Sequence, residues 1–159
     1  MEELLKLIEK NPTLTPKQIA VMLCKEESEI KAMIDDLTSK GIIKGYRAII
    51  DWEKTDTDMV KALIELKVTP KKDRGFDEIA MAIASMEEVE GVTLMSGGYD
   101  LLVEIRAKSF KEIAMFVFKR LSPMDDVNAT ATHFVLRPYK HAGIIYHDDE
   151  ADERSFTSL

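Results

Sequence analysis

The stretch from Gln18 to Tyr46, QIAVMLCKEESEIKAMIDDLTSKGIIKGY, carries two helical patterns separated by a few residues. Ile30, Met33, Ile34 and Leu37 fall at i, i+3, i+4 and i+7, which places them on one face of a helix beginning near Glu26. Ile19, Ala20, Met22 and Leu23 do the same over two turns for a preceding helix that Pro16 can open, because the first helical residue needs no N–H partner. Lys40-Gly41 closes the second helix: a cation meets the negative helix end, and a glycine follows that is free to go left-handed. Two helices joined by so short a turn read as a helix-turn-helix, which offers one exposed helix to a DNA groove. The same pattern also suits a helical bundle used for protein contact. Tyr46–Ile50 is expected to be a strand leading away from it.

Working outward, Leu4, Leu5, Leu7 and Ile8 mark an N-terminal helix stopped at Asn11-Pro12. Residues 1–50 are thus predicted to form a three-helix unit near the lower size limit for independent folding. The single cysteine, Cys24, falls in the turn, where it reads as a small filler. One cysteine excludes an intrachain disulfide and any multi-cysteine zinc site, which fits a reducing, cytoplasmic setting. No apolar run of about 18 residues and no basic-then-apolar leader is present, so no membrane partner is expected.

Apolar residues make up 45% of the 159, and charged ones 32%, which is ordinary for a globular protein. The distribution of the net charge of −7 says more than its total. Residues 1–50 hold eight Lys/Arg and eight Asp/Glu, whereas residues 51–159 hold fourteen against twenty-one. A neutral reading head on an acidic body argues against tight DNA binding by one copy, because such binding rests on neutralised phosphates. Between Lys25 and Lys40, three lysines face Glu26, Glu27, Glu29, Asp35 and Asp36. The candidate DNA contacts are Lys25, Ser28, Lys31, Lys40, Lys44 and Arg47.

Trp52–Asp58 is polar, and residues 51–58 read as a linker. Val60, Ala62, Ile64, Leu66 and Val68 then alternate along a strand halted by Thr69-Pro70. Phe76, Ile79, Ala80 and Ile83 mark a helix after a turn at Asp73-Arg74-Gly75. Val92–Met95 and Tyr99–Ala107 are predicted strands joined by a tight hairpin at Ser96-Gly97-Gly98. Phe110, Ile113, Ala114, Val117 and Leu121 mark a second helix, opened by a Ser109/Glu112 capping box. Val127–Leu136 closes the set. The order strand, helix, strand, strand, helix, strand is the split βαβ arrangement of an α+β, ferredoxin-like fold over residues 59–140. Both helices then cover one sheet face. The other face would carry Leu63, Leu102, Phe134 and Leu136, with Met115, Phe116 and Phe118 outside the main stripe of the second helix. So much apolar surface predicts self-association, with a twofold dimer as the default. Residues 141–159 read as an extension, acidic and solvated from His147 on.

In order and spacing, several pieces together resemble the leucine-responsive regulatory protein/AsnC (Lrp/AsnC) family of transcription regulators, over about Glu2 to Lys140. These are Gln18-Ile19-Ala20, Ile30 with Ile34 and Leu37, GIIKGYRA at Gly41–Ala48, GGYDLL at Gly97–Leu102 and TATHFVLR at Thr130–Arg137. The resemblance implies a winged-helix-like DNA-binding head over 1–50 and a C-terminal effector-binding and oligomerisation domain. It also implies homodimers, often octamers, with a small amino-acid effector bound where dimers meet. Carried over by motif, the effector-binding residues are Ser96, Gly97, Gly98, Tyr99 and Asp100, with Thr130 and Thr132 nearby. Glycine-exposed N–H groups suit a carboxylate, and Asp100 suits an ammonium; a plain turn stabilised by Asp100 is the alternative. The chain departs from the family at Cys24-Lys25-Glu26, where Gly-Leu-Ser is usual, at Met33, where Arg is common, and at Gly98, where a polar residue is frequent.

Two functions follow: a DNA-binding regulator that gains affinity through several weak heads, or an amino-acid sensor whose head no longer binds DNA. A branch of the same fold is similar to sirohaem decarboxylases, but His133 reads as a structural strand residue and His141 and His147 as solvated. No Ser/His/Asp set, phosphate loop or paired carboxylates stand out, so no enzyme, cofactor or metal is expected.

Overall fold

The computed structural model describes residues 1–70 and 75–146. The chain divides into two units, Met1–Ile50 and Asp51–Leu159. The first contains α1 (Glu2–Lys10), α2 (Pro16–Leu23) and α3 (Glu27–Ser39). Their core is Leu4, Ile8, Ile19, Ala20, Ile30 and Leu37, with Leu23, Met33, Ile34 and Ile43 packed against it. The four-residue stripe that predicted α3 therefore faces inward. Met22 does not: it is 55% exposed, beside an exposed Val21. A helix of eight residues buries only a narrow stripe, here Ile19, Ala20 and Leu23.

Helix α2 begins with Pro16 after a capping box that the sequence reading missed. Thr15 accepts from the Gln18 N–H (3.3 Å), and Gln18 Oε1 accepts from the Thr15 N–H (2.8 Å). It ends at Cys24, whose φ of 51° and ψ of 47° are left-handed. Helix α3 has Glu26 as N-cap with no side-chain capping bond, while Glu27 and Glu29 sit in its first turn near the positive helix end. Gly41 follows the C-cap at φ 66°.

The expected strand Tyr46–Ile50 is not formed; residues 44–51 carry no regular structure. A strand needs a partner edge for its backbone groups, and alternating apolar residues do not supply one. Tyr46, Ile49 and Ile50 remain exposed.

In the second unit, Trp52–Lys54 forms a 3-10 turn rather than a featureless linker. The Arg106 guanidinium lies over the Trp52 ring at 5.5 Å, a cation–π distance, and Arg137 Nε is 3.9 Å from Glu53. The strands are β1 (Val60–Val68), β2 (Val89–Leu94), β3 (Leu101–Ala107) and β4 (Val127–Phe134), with α4 (Asp77–Ala84) and α5 (Phe110–Phe116) between them. The sheet order β2-β3-β1-β4, antiparallel throughout, is that of the ferredoxin-like fold. A π-helical turn, Val117–Leu121, follows α5 directly. Of the predicted turn at 73–75, Asp73 and Arg74 lie outside the described residues, as do His147 and the acidic tail.

Ala62, Ile64, Leu66 and Val68 of β1 and Leu101, Val103 and Ile105 of β3 share one face, packed with Ile79, Ile83, Ile113, Phe116, Val117 and Leu121. The expected helix stripe shifts in α5: Phe116 is buried and Ala114 exposed. Phe134 also changes sides. Leu63 pairs with His133, so Phe134 lies opposite Ala62 on the helix-covered face, where its ring meets Phe110 edge-on at 4.8 Å. Leu136 lies past the end of β4, 87% exposed. The open face therefore carries Leu63 and Leu102 among ion pairs, a narrower apolar strip than the sequence implied. These pairs are Lys61–Glu104 at 2.6 Å, His133–Glu65 at 3.3 Å and Arg106–Glu90 at 3.3 Å.

Beyond β4, a two-residue hairpin joins β5 (Lys140–His141) to β6 (Ile144–Ile145) through Ala142 and Gly143, both at positive φ. No described helix is long and apolar enough to cross a membrane.

Candidate nucleic-acid interface and effector loop

The six candidate DNA contacts lie on and after α3, and the structure gives the three helix-flanking lysines partners on their own turn. Lys31 Nζ lies 2.6 Å from Glu27, Lys40 Nζ 2.6 Å from Asp36, and Lys25 pairs with Glu29, all at i,i+4 spacing. The hydrogen bond from Lys31 holds the Glu27 carboxyl below its usual range. These pairs are solvent-exposed and weak, and a phosphate can displace the carboxylate. Ser28 is exposed on the first turn of α3, and Lys44 and Arg47 are exposed beyond Gly41. Met33 faces the head core and is not available to a phosphate.

The residues expected to bind an effector fall in two places. Met95–Asp100 is a loop wider than the tight hairpin expected at 96–98, closed by the Met95 N–H donating to the Asp100 carbonyl at 2.8 Å. Gly97 at its tip has φ 149° and open space around the position a Cβ would take, so backbone conformation rather than crowding asks for glycine there. Thr130 and Thr132 lie on edge strand β4, opposite Leu66 and Ile64, while Leu66 pairs on its other side with Leu101. Thr130 is thus two strand spacings, about 10 Å, from the start of β3.

Asp100 is already engaged. Its carboxylate accepts from the Val68 N–H at 2.9 Å and from Lys67 Nζ at 3.2 Å, while its own N–H donates to the Leu66 carbonyl at 2.9 Å. The Val68 bond is the main cause holding its carboxyl below the usual range. It meets the backbone where β1 slips register between Lys67 and Val68. A stabilising role for Asp100 was the alternative reading of the sequence; its partners, more than thirty positions away, were not legible there.

His133 stands on the open sheet face beside Glu65, and His141 is exposed on β5. Among the described residues, no group of three or more His, Cys, Asp or Glu side chains could hold a metal ion.

Residues 61–145 match the model of the Lrp/AsnC ligand binding domain. The HTH-type transcriptional regulator YugG of Bacillus subtilis is 43% identical over 157 residues, spanning 98% of this chain and 95% of that protein. The HTH-type transcriptional regulator FL11 of Pyrococcus horikoshii is 30% identical over 139 residues, 87% of this chain and 89% of the relative. Among solved structures, the transcriptional regulator NMB0573 of Neisseria meningitidis, in complex with L-Met, superposes with a TM-score of 0.69. It is 22% identical and covers 87% of this chain and 88% of that one. AsnC of E. coli gives 0.65 at 18% identity, over 87% and 91%. At those identities the structures speak for the fold, whereas the YugG match and the domain model speak for descent. The chain belongs to the Lrp/AsnC family.

Proposed function

We propose that this chain is a DNA-binding transcription regulator whose affinity comes from several weak heads held together, and whose assembly responds to a small amino-acid effector. One observation carries the reading: a helix-turn-helix unit precedes a match to the Lrp/AsnC ligand binding domain over residues 61–145 of the same chain. Lys25, Ser28, Lys31, Lys40, Lys44 and Arg47 contact DNA, with Lys25, Lys31 and Lys40 exchanging their helix carboxylates for phosphates. The open sheet face makes a homodimer, and dimers associate further, up to an octamer, in the cytoplasm. The effector lies at Ser96, Gly97, Gly98 and Tyr99, with Thr130 and Thr132 at its margin. Asp100 shapes that loop through Val68 and Lys67; an effector ammonium would have to compete with Lys67. No catalytic step is part of this role.

A mobility-shift titration at low salt tests it, using DNA upstream of the chain's own gene, with and without each amino acid. Specific retardation that changes with at least one amino acid is expected. No preference for that DNA over unrelated sequence, under any condition, would falsify the reading.

The three internal lysine pairs on and beside α3 favour a second reading, an amino-acid sensor that no longer binds DNA. Calorimetric amino-acid binding without any DNA retention would select it.

A further inference from the structure

A cavity of about 420 Å³ lies at the far end of β3 from the effector loop. Its lining includes Ile105 and Ala107 of β3 and Met115 and Phe116 of α5, with Lys119 and Arg120 on the π-turn. The loop precedes the first residue of β3 and the cavity takes its last three, so the two sites are about 15–20 Å apart at strand rise. The volume falls in the range of small-ligand sites.

The π-turn positions the charges. Buried Ile113, Phe116 and Val117 would put position 120, at i+7, i+4 and i+3 from them, on the inward stripe of a continuing α-helix. The turn instead closes with the Ser122 N–H donating to the Val117 carbonyl at 2.8 Å. Leu121, four residues after Val117, is fully buried, and Arg120 stays exposed at the rim beside Lys119. Such π-bulges inside helices often mark functional sites.

Arg120 Nη1 donates to Glu88 Oε1 at 3.2 Å in a surface pair that a ligand can displace. Lys119 has no ion-pair partner among the described residues. Glu112, also in the lining, is committed to the Lys108 N–H at 3.0 Å. Arg106 lines the cavity too, but its guanidinium faces Glu90 and Trp52. Lys119 and Arg120 thus stand above an apolar floor, with the carboxylates of Glu88 and Glu112 also in the lining.

We infer that this cavity is a second small-molecule site, separate from the effector loop, that takes a monocarboxylate with an apolar body. The apolar part lies on Ile105, Met115 and Phe116, and the carboxylate meets Lys119 and Arg120, which leaves Glu88 in exchange. This assignment goes beyond the regulator reading and does not depend on DNA binding.

Titration of the ¹⁵N-labelled full chain with 3-phenylpropanoate and with the uncharged 3-phenylpropan-1-ol tests it. The acid is expected to shift the amide signals of Ala107, Met115 and Lys119, leave those of Gly97–Tyr99 in place, and bind at least tenfold tighter than the alcohol. The Lys119→Gln/Arg120→Gln double variant, altered only at exposed positions, should lose at least tenfold in affinity for the acid and none for the alcohol. Equal binding of acid and alcohol, shifts centred on the effector loop, an unaffected double variant, or no binding at millimolar concentration would each overturn the assignment.

Discussion

Cys24, like Ala142, is a non-glycine residue at positive φ. A non-glycine side chain in the left-handed region is strained by its Cβ, and here that strain sits in the turn between α2 and α3. Cys24→Gly is expected to stabilise the head by about 1 kcal/mol in denaturant unfolding, the relief of strain outweighing the greater entropy of the unfolded glycine. Glu26→Ser should add about 0.5–1 kcal/mol by supplying the missing cap. At the Met95–Asp100 loop, Asp100 has its carboxyl held low by the Val68 N–H. A depressed carboxyl contributes stability above its unfolded-state pKa and loses it as pH falls through the folded value. The thermal midpoint of the parent chain should therefore drop as pH falls through and below the ordinary aspartate range. Asp100→Asn should be less stable at neutral pH and flatter across that window, as calorimetry at a series of pH values would reveal; parallel curves would contradict the anchoring role.

At the scale of the element, α3 holds its own cations in check. Each Glu–Lys pair gives the helix a few tenths of a kcal/mol while placing negative charge where phosphates come. Replacing Glu27 and Glu29 by Gln should tighten DNA binding about two- to fivefold per removed charge at low salt, because like-charge repulsion of phosphates is lost. Fluorescence anisotropy on a fixed duplex would measure it. Legibility in the sequence follows the same physics. Where burial is periodic and local, as at Ile30, Met33, Ile34 and Leu37, the pattern gave the element and its inward face together. Where the decisive interaction is a partner elsewhere, it did not. Tyr46–Ile50 alternates like a strand but pairs with no strand among the described residues. Phe134 was put on the wrong face because strand register cannot be read from one strand. The Thr15/Gln18 capping box, by contrast, was written plainly in Thr-Pro-Lys-Gln and could have been found.

Over the whole molecule, the charge division matters most. A head with equal numbers of acids and bases cannot hold DNA tightly by itself, and an acidic body repels it. Joining heads turns later contacts into intramolecular ones and multiplies affinity without any new contact type. If two heads supply about eight phosphate contacts, DNA affinity should fall on the order of 10,000-fold between 50 and 200 mM salt. A slope near zero would place recognition elsewhere than in those cations.

Feeble single grips need a scaffold, so the state of assembly decides whether the account stands. Light-scattering molar mass of the purified chain at micromolar concentration tests this most directly. A species of at least twice the 18.0 kDa of one chain, shifting in size with an amino acid, is the expected result. A single species at 18.0 kDa under every condition would contradict it.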